Sequence, residues 1–138
     1  MSNQTITVQQ VIHAPVEKVW NYWIAPEHIT QWNNPSPEWY TPRAESDARN
    51  GGKFSYRMEA RDGSAGFDFF GTYDEVVPQK AIAYTIGDGR KVTVQFSAEG
   101  NGTKVVEQFE AETVNPVEMQ QTGWQAILDS FKAYVESH

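Results

Sequence analysis

Apolar residues recur at every second position through the middle of the chain and at helical spacing near its two ends. Ile6, Val8 and Ile12 share one face of a period-two run, which predicts a first strand. Gln10 lies on that same inward face. Val16, Val19, Trp20 and Trp23 then fall at i, i+3, i+4 and i+7, an apolar helical stripe. Pro15 suits a first helical position, and Glu17 suits the positive end of the helix. Pro26 and Glu27 repeat that start signal, and Ile29 with Trp32 predicts a second short helix. Pro35 and Pro37 end it, because each biases its predecessor to extended geometry. Trp39 and Tyr40 open an extended run that stops near Ser46.

From Gly51 the period is two almost without interruption. Phe54, Tyr56 and Met58 face one way, and Lys53, Ser55, Arg57 and Glu59 the other. Phe67, Phe69, Gly71 and Tyr73 form the next inner set, followed by Ile82, Tyr84 and Ile86, then Val92, Val94 and Phe96, then Val105 and Phe109. Gly-containing segments at Arg61–Ser64, Gly87–Arg90 and Glu99–Gly102 supply the turns between them. A meander of this kind forms an antiparallel sheet with one apolar face and one wet face. The last segment reads as a long helix: Trp124, Ile127, Leu128, Phe131, Tyr134 and Val135 make a broad stripe. Asn115 is its expected N-cap, Pro116 its first residue, and Glu118 completes a capping box. The long helix must lay its stripe on the sheet, an α+β arrangement in a single domain over residues 1–138. A sheet of six to seven strands should curl around that helix through its twist.

Composition narrows the functional classes. The 138 residues carry 11 Lys+Arg against 18 Asp+Glu, a net charge of -7. That balance argues against nucleic acid and against an anionic membrane surface as partners. With 0 Cys, disulfides, thiol catalysis and thiolate metal sites are excluded. No run of about 18 apolar residues is present to span a bilayer. The first residues lack the basic-then-apolar pattern of a signal peptide, so a cytoplasmic location is expected. On that expectation the acceptor-like triplets at Asn3 and Asn101 are chance matches. His13, His28 and His138 have no metal-spaced partners, and the glycine pairs lack phosphate-loop spacing. No metal site and no cofactor are expected, and no catalytic residue is assigned.

Several short segments in this order resemble the helix-grip (START-like, SRPBCC) superfamily, in its activator-of-heat-shock-ATPase-homologue type. They are His13 to Trp20, Pro26 to Trp32, Gly51 to Phe54, Phe70 to Pro78, Gly102-Thr103 and Gly123 to Asp129. The resemblance implies a helix-grip fold: a curved antiparallel sheet gripping the C-terminal helix, two short helices after the first strand, and a cavity between sheet and helix. It does not imply one activity, because relatives bind lipids, hormones or polyketides and some catalyse. Namesake co-chaperones carry a further N-terminal domain for which this length leaves no room, which argues against ATPase activation. Relatives usually have an apolar residue at the position of Glu107 and often a base at that of Gln10, so the chain departs from the pattern at both.

The inner face is aromatic enough to suggest a ligand cavity. Phe54, Tyr56, Met58, Phe69, Tyr73 and Tyr84 are expected to line it from the sheet, with Val94, Phe96 and Phe109 beside them. Three of these are tyrosines, each needing a partner for its hydroxyl when buried. Met119, Gln120, Gly123 and Trp124 occupy the early turns of the long helix and are expected to face the same space. Gly123 costs about 1 kcal/mol relative to Ala in a helix interior, which points to close packing or pocket volume. Trp32 and Trp39 flank the Asn33–Pro37 loop and are placed at the mouth. Glu107 shares a face with Val105 and Phe109, where a carboxylate is out of place unless a bulge turns it outward; Gln10 is expected to donate to it. Three readings follow. The preferred one is a protein that binds a small apolar ligand. The second is a cyclase- or lyase-type enzyme using Glu107 and a pocket tyrosine; whether a reaction is catalysed stays open. The third is a stress-response or co-chaperone-like interaction module. Whether two copies pair as a homodimer stays open too.

Overall fold

The computed structural model describes residues 4–138; residues 1–3, including Asn3 of the first acceptor-like triplet, lie outside the described residues. The elements follow in the order β1 (Thr5–Ile12), α1 (Val16–Ile24), α2 (Pro26–Trp32), β2 (Trp39–Ser46), β3 (Lys53–Ala60), β4 (Gly66–Val77), β5 (Ala81–Ile86), β6 (Lys91–Glu99), β7 (Gly102–Glu110) and α3 (Val117–Ser137). The seven strands form one antiparallel sheet in the order β1-β7-β6-β5-β4-β3-β2. After β1 the chain crosses through α1 and α2 to the far edge, then returns strand by strand until β7 pairs with β1. The sheet is a curved half-barrel around α3, the helix-grip arrangement, of class α+β.

Alternation places the core. In β5 every second residue is buried, in β6 Val92, Val94 and Phe96 are, and in β3 Phe54, Tyr56 and Met58 are. Trp20 and Trp23 of α1 meet Phe96 of β6 edge to face, at ring separations of 5.3 and 5.9 Å. Trp23 and Trp32 both meet Phe131 of α3 at 4.8 Å. Edge-to-face pairs of this kind add to the area that the rings bury.

The two halves of α3 are held differently, and this difference positions the site. Leu128, Phe131 and Val135, in its C-terminal half, are completely buried. The Lys132 ammonium donates to the Val11 carbonyl at 2.6 Å, and the Glu136 carboxylate accepts from the His13 N–H at 2.8 Å. The C-terminal half is thus fastened along β1. Trp124 and Ile127, in the N-terminal half, are only partly buried.

The entry to α3 departs from the sequence reading. Asn115 and Glu118 form no capping box: Pro116 flanks the helix with extended geometry, ψ 147°, and no side chain caps it. Gln120 closes this turn instead. Its carbonyl oxygen accepts from the Glu112 N–H at 2.9 Å, and its amide donates to the Asn115 carbonyl at 2.8 Å. Pro15 likewise precedes α1 rather than opening it, whereas Pro26 is inside the first turn of α2.

Candidate functional site

Between the inner face of the sheet and the N-terminal half of α3 lies a cavity of about 330 Å³. The sheet contributes Phe54, Tyr56 and Met58 from β3, Phe67, Phe69 and Tyr73 from β4, Tyr84 from β5 and Glu107 from β7. The helix contributes Gly123, Trp124 and Ile127. Trp23, Trp32, Asn33, Pro35 and Arg90 complete the wall. A wider depression on the opposite face, beside Phe70, is lined by exposed groups such as Lys53 and Asp68 and holds no buried polar residue.

Two glycines shape the cavity in different ways. Gly71 pairs with Phe54 across the strands, and a Cβ on Gly71 would sit 2.9 Å from the Phe54 ring and 2.4 Å from the Thr85 carbonyl oxygen. The ring therefore occupies space that a side chain at position 71 would fill, and from there reaches Tyr56, Tyr73 and Tyr84 at ring separations of 5.0–5.3 Å. Gly123 is the reverse case: a Cβ there would meet nothing within 4 Å. Its lack of a side chain leaves room rather than permitting close packing.

Glu107 points inward. β7 runs in unbroken register between β1 and β6, with no bulge, and Glu107 pairs with Val8 on one side and Val94 on the other. The residue is 5% exposed. No group among the described residues donates a hydrogen bond to its carboxyl, and no described side-chain nitrogen or oxygen is sealed away without a partner, so the carboxyl opens onto the cavity. Burial away from water disfavours the charged form and raises its pKa from 4.5 to about 8. The phenols around it are shifted the same way. Burial pushes Tyr56 and Tyr84 well above 10, with the nearby acidic groups adding to the effect. Tyr73 is raised by burial, although its hydroxyl shares a 2.7 Å hydrogen bond with Ser46. Arg90 is engaged elsewhere: it donates to the Asp88 carboxylate at 2.8 Å and to the Glu110 carbonyl at 2.9 Å.

Several expected lining residues are elsewhere. Met119 is 61% exposed. It lies about 140° around the helix from Trp124 at 100° per residue, off the apolar stripe. Gln120 is buried but spent on the turn before α3. Val94, Phe96 and Phe109 are fully enclosed core residues, covered by α1, α3 and their neighbours; Phe109 stacks on Trp124 at 3.9 Å. Trp39 is outside the wall, against Phe67 at 6.0 Å. Gln10 donates to Asp129 of α3 at 2.9 Å, not to Glu107, because β1 is the edge strand alongside the helix flank. Trp23, Phe67 and Ile127 lie on faces that the periodicity marks as apolar, but periodicity alone does not mark them as wall. Asn33, Pro35 and Arg90 come from connecting segments, where no periodicity marks an inward residue.

Among the described residues no cluster of His, Asp or Glu is arranged to hold a metal ion, and no helix is long and apolar enough to cross a membrane. Residues 13–136 match the family described as Activator of Hsp90 ATPase homolog 1-like protein. An AHSA1-like protein from Aeromonas hydrophila has a similar structure, with TM-score 0.92 and 44% identity over 97% of this chain and 93% of that one. A protein from Cytophaga hutchinsonii is 50% identical, with TM-score 0.81 over 98% of this chain and 92% of its own. A protein from Chromobacterium violaceum is 28% identical, with TM-score 0.86 over 96% of this chain and 98% of its own. No curated protein matches the chain.

Proposed function

The chain belongs to the Activator of Hsp90 ATPase homolog 1-like family, and from that premise we propose that it binds a small, largely apolar ligand in the cavity between the sheet and α3. The observation that carries this reading is the combination of an aromatic cavity and one buried carboxyl to which no described residue donates. A mostly apolar wall with one or two polar groups is the usual constitution of a small-molecule site. The volume, about 330 Å³, sits at the small end of the range for such sites. Trp23, Trp32 and Trp124 lie in the wall, so occupancy should change tryptophan fluorescence. The test is a titration with naphthalene, in parallel with a Gly123→Leu variant. The new side chain would project into the space where an added Cβ meets nothing. Saturable quenching in the wild type, lost in the variant, supports the reading; equal response in both argues against it.

A second reading, acid–base catalysis on the bound compound by Glu107 and a neighbouring tyrosine, is favoured by one observation. The carboxyl has a pKa of about 8, close to the value that suits a general acid or base at neutral pH. Turnover of a bound compound, abolished by Glu107→Gln, would establish it. The interaction-module reading has less support. The exposed apolar side chains are dispersed, with Phe70 on the outer face, Phe67 at the cavity and Val114 and Met119 near the start of α3. A docking surface would gather them into one patch.

A further inference from the structure

We infer that the ligand of this cavity is an organic monocation, a primary or secondary ammonium group on an aromatic or short apolar body, with its charge seated at Glu107. The inference rests on the cavity reading above and names the ligand class. Three features carry it. First, the Glu107 carboxyl is 5% exposed, faces the cavity and has no donor among the described residues. A buried carboxyl without a partner is costly, and a ligand that donates to it removes that cost. Second, the wall around it is built of rings where aliphatic side chains would hold an apolar body equally well. A cation is attracted to the faces of aromatic rings, so a ring-lined wall distinguishes it from a neutral ligand. Third, the described residues of the wall supply no competing cation. Arg90, the basic residue in the wall, is committed to Asp88 and the Glu110 carbonyl.

The groups facing Glu107 agree with this assignment. β1 and β6 present Val8 and Val94, and α3 presents Trp124 and Ile127, none of them titratable. The titratable groups in the wall besides Arg90 are the phenols of Tyr56, Tyr73 and Tyr84, which burial keeps in the neutral form. The chain's net charge of -7 also favours approach of a cation over an anion. When the ammonium ion enters at neutral pH, the carboxyl gives its proton to solvent. The product is a carboxylate–ammonium pair, and one proton is released for each ligand bound. With a carboxyl pKa of about 8, that release costs only about tenfold in affinity at pH 7. Affinity therefore rises with pH until the carboxyl is ionised in the free protein.

The test uses three probes of one shape, 2-naphthylmethylamine, 2-naphthylmethanol and 2-naphthoate, with the intact protein in calorimetry. At about pH 7 the amine should bind at least about tenfold more tightly than the alcohol, and the acid should bind most weakly. Titrations in buffers of different ionisation enthalpy should show close to one proton released with the amine and none with the alcohol. Glu107→Gln should bring the amine down to the level at which the same variant binds the alcohol, and should abolish the proton release. An alcohol that binds as tightly as the amine, or an amine preference that survives Glu107→Gln, overturns the inference while leaving a ligand cavity in place. Failure of all three probes to bind overturns the cavity reading and this inference with it.

Discussion

Replacing Glu107 with Gln removes one proton-binding site and almost nothing else, so it isolates what the buried carboxyl does to stability. In the folded protein the group has a pKa of about 8 against an ordinary 4.5, with burial as the cause. Below about pH 4.5 both the folded and the unfolded chain hold the proton, and the stabilising contribution is fully present. Between about 4.5 and 8 the unfolded chain releases the proton and the folded chain keeps it, so stability falls as pH rises, by about 1.4 kcal/mol per pH unit. Above about 8 both states are ionised and the loss levels off. The difference between the two pKa values corresponds to about 5 kcal/mol at the alkaline limit and about 3 kcal/mol by pH 7, each an upper bound. Glu107→Gln should track the wild type near pH 5 and exceed it by a few kcal/mol near pH 8.5. Glu107→Leu should follow the Gln variant's pH profile, because neither side chain binds a proton in this range. Urea unfolding of the three proteins across that range measures the effect, and comparing the curves cancels every other titrating group. Parallel profiles for all three would mean that Glu107 is solvated in the folded protein and the reasoning fails.

Other substitutions test the helix that bounds the cavity. Leu128→Ala should cost about 2–5 kcal/mol, because the side chain is completely buried where α3 is fastened down. Glu118→Ala should cost only a few tenths of a kcal/mol, since Glu118 makes no capping box and acts only on the helix dipole; equal denaturation midpoints for the two would refute this. Gln120→Ala should lower stability by about 1–3 kcal/mol, because it removes the hydrogen bonds that Gln120 makes to the Glu112 N–H and the Asn115 carbonyl. Gly123→Ala should raise stability by about 0.5–1 kcal/mol, since the added methyl meets nothing and Ala favours helix. The same methyl should weaken naphthalene binding, and a variant that is both more stable and a better binder would contradict the role given to Gly123.

The strands were legible because one face is buried and the other wet. Phe54, Tyr56 and Met58, or Val92, Val94 and Phe96, announce their face through a period that a slip of one residue would invert. The stripe of α3 was legible for the same reason. Alternation says which face a side chain occupies, however, and not what stands opposite. Val94, Phe96 and Phe109 share the face of Tyr56 and Tyr84, yet they end in solid core. The difference is set by where α3 is tied down, through Lys132 and Glu136 near β1, and that tie joins residues more than a hundred positions apart. Met119 is less than two turns from Trp124 in sequence, but five residues rotate it about 140° around the helix, off the stripe. The capping box failed because Pro116 holds an extended backbone and Gln120, four residues on, reaches back to do the work. Glu107 was legible as an anomaly: a carboxylate between Val105 and Phe109 either turns out or becomes part of the site. Gln10 shares the inward face of its strand with Val8 and Ile12, but an edge strand gives it α3's Asp129 as a nearer partner.

The most direct test of ligand binding is native mass spectrometry of the protein purified from its own cells under gentle ionisation. A ligand in the cavity should appear as one discrete added mass at a ratio of one per chain, released on activation and absent from Gly123→Leu prepared in the same way. A bare chain mass for the wild type, together with no response to any of the naphthyl probes, would contradict the proposal that this cavity holds a small molecule.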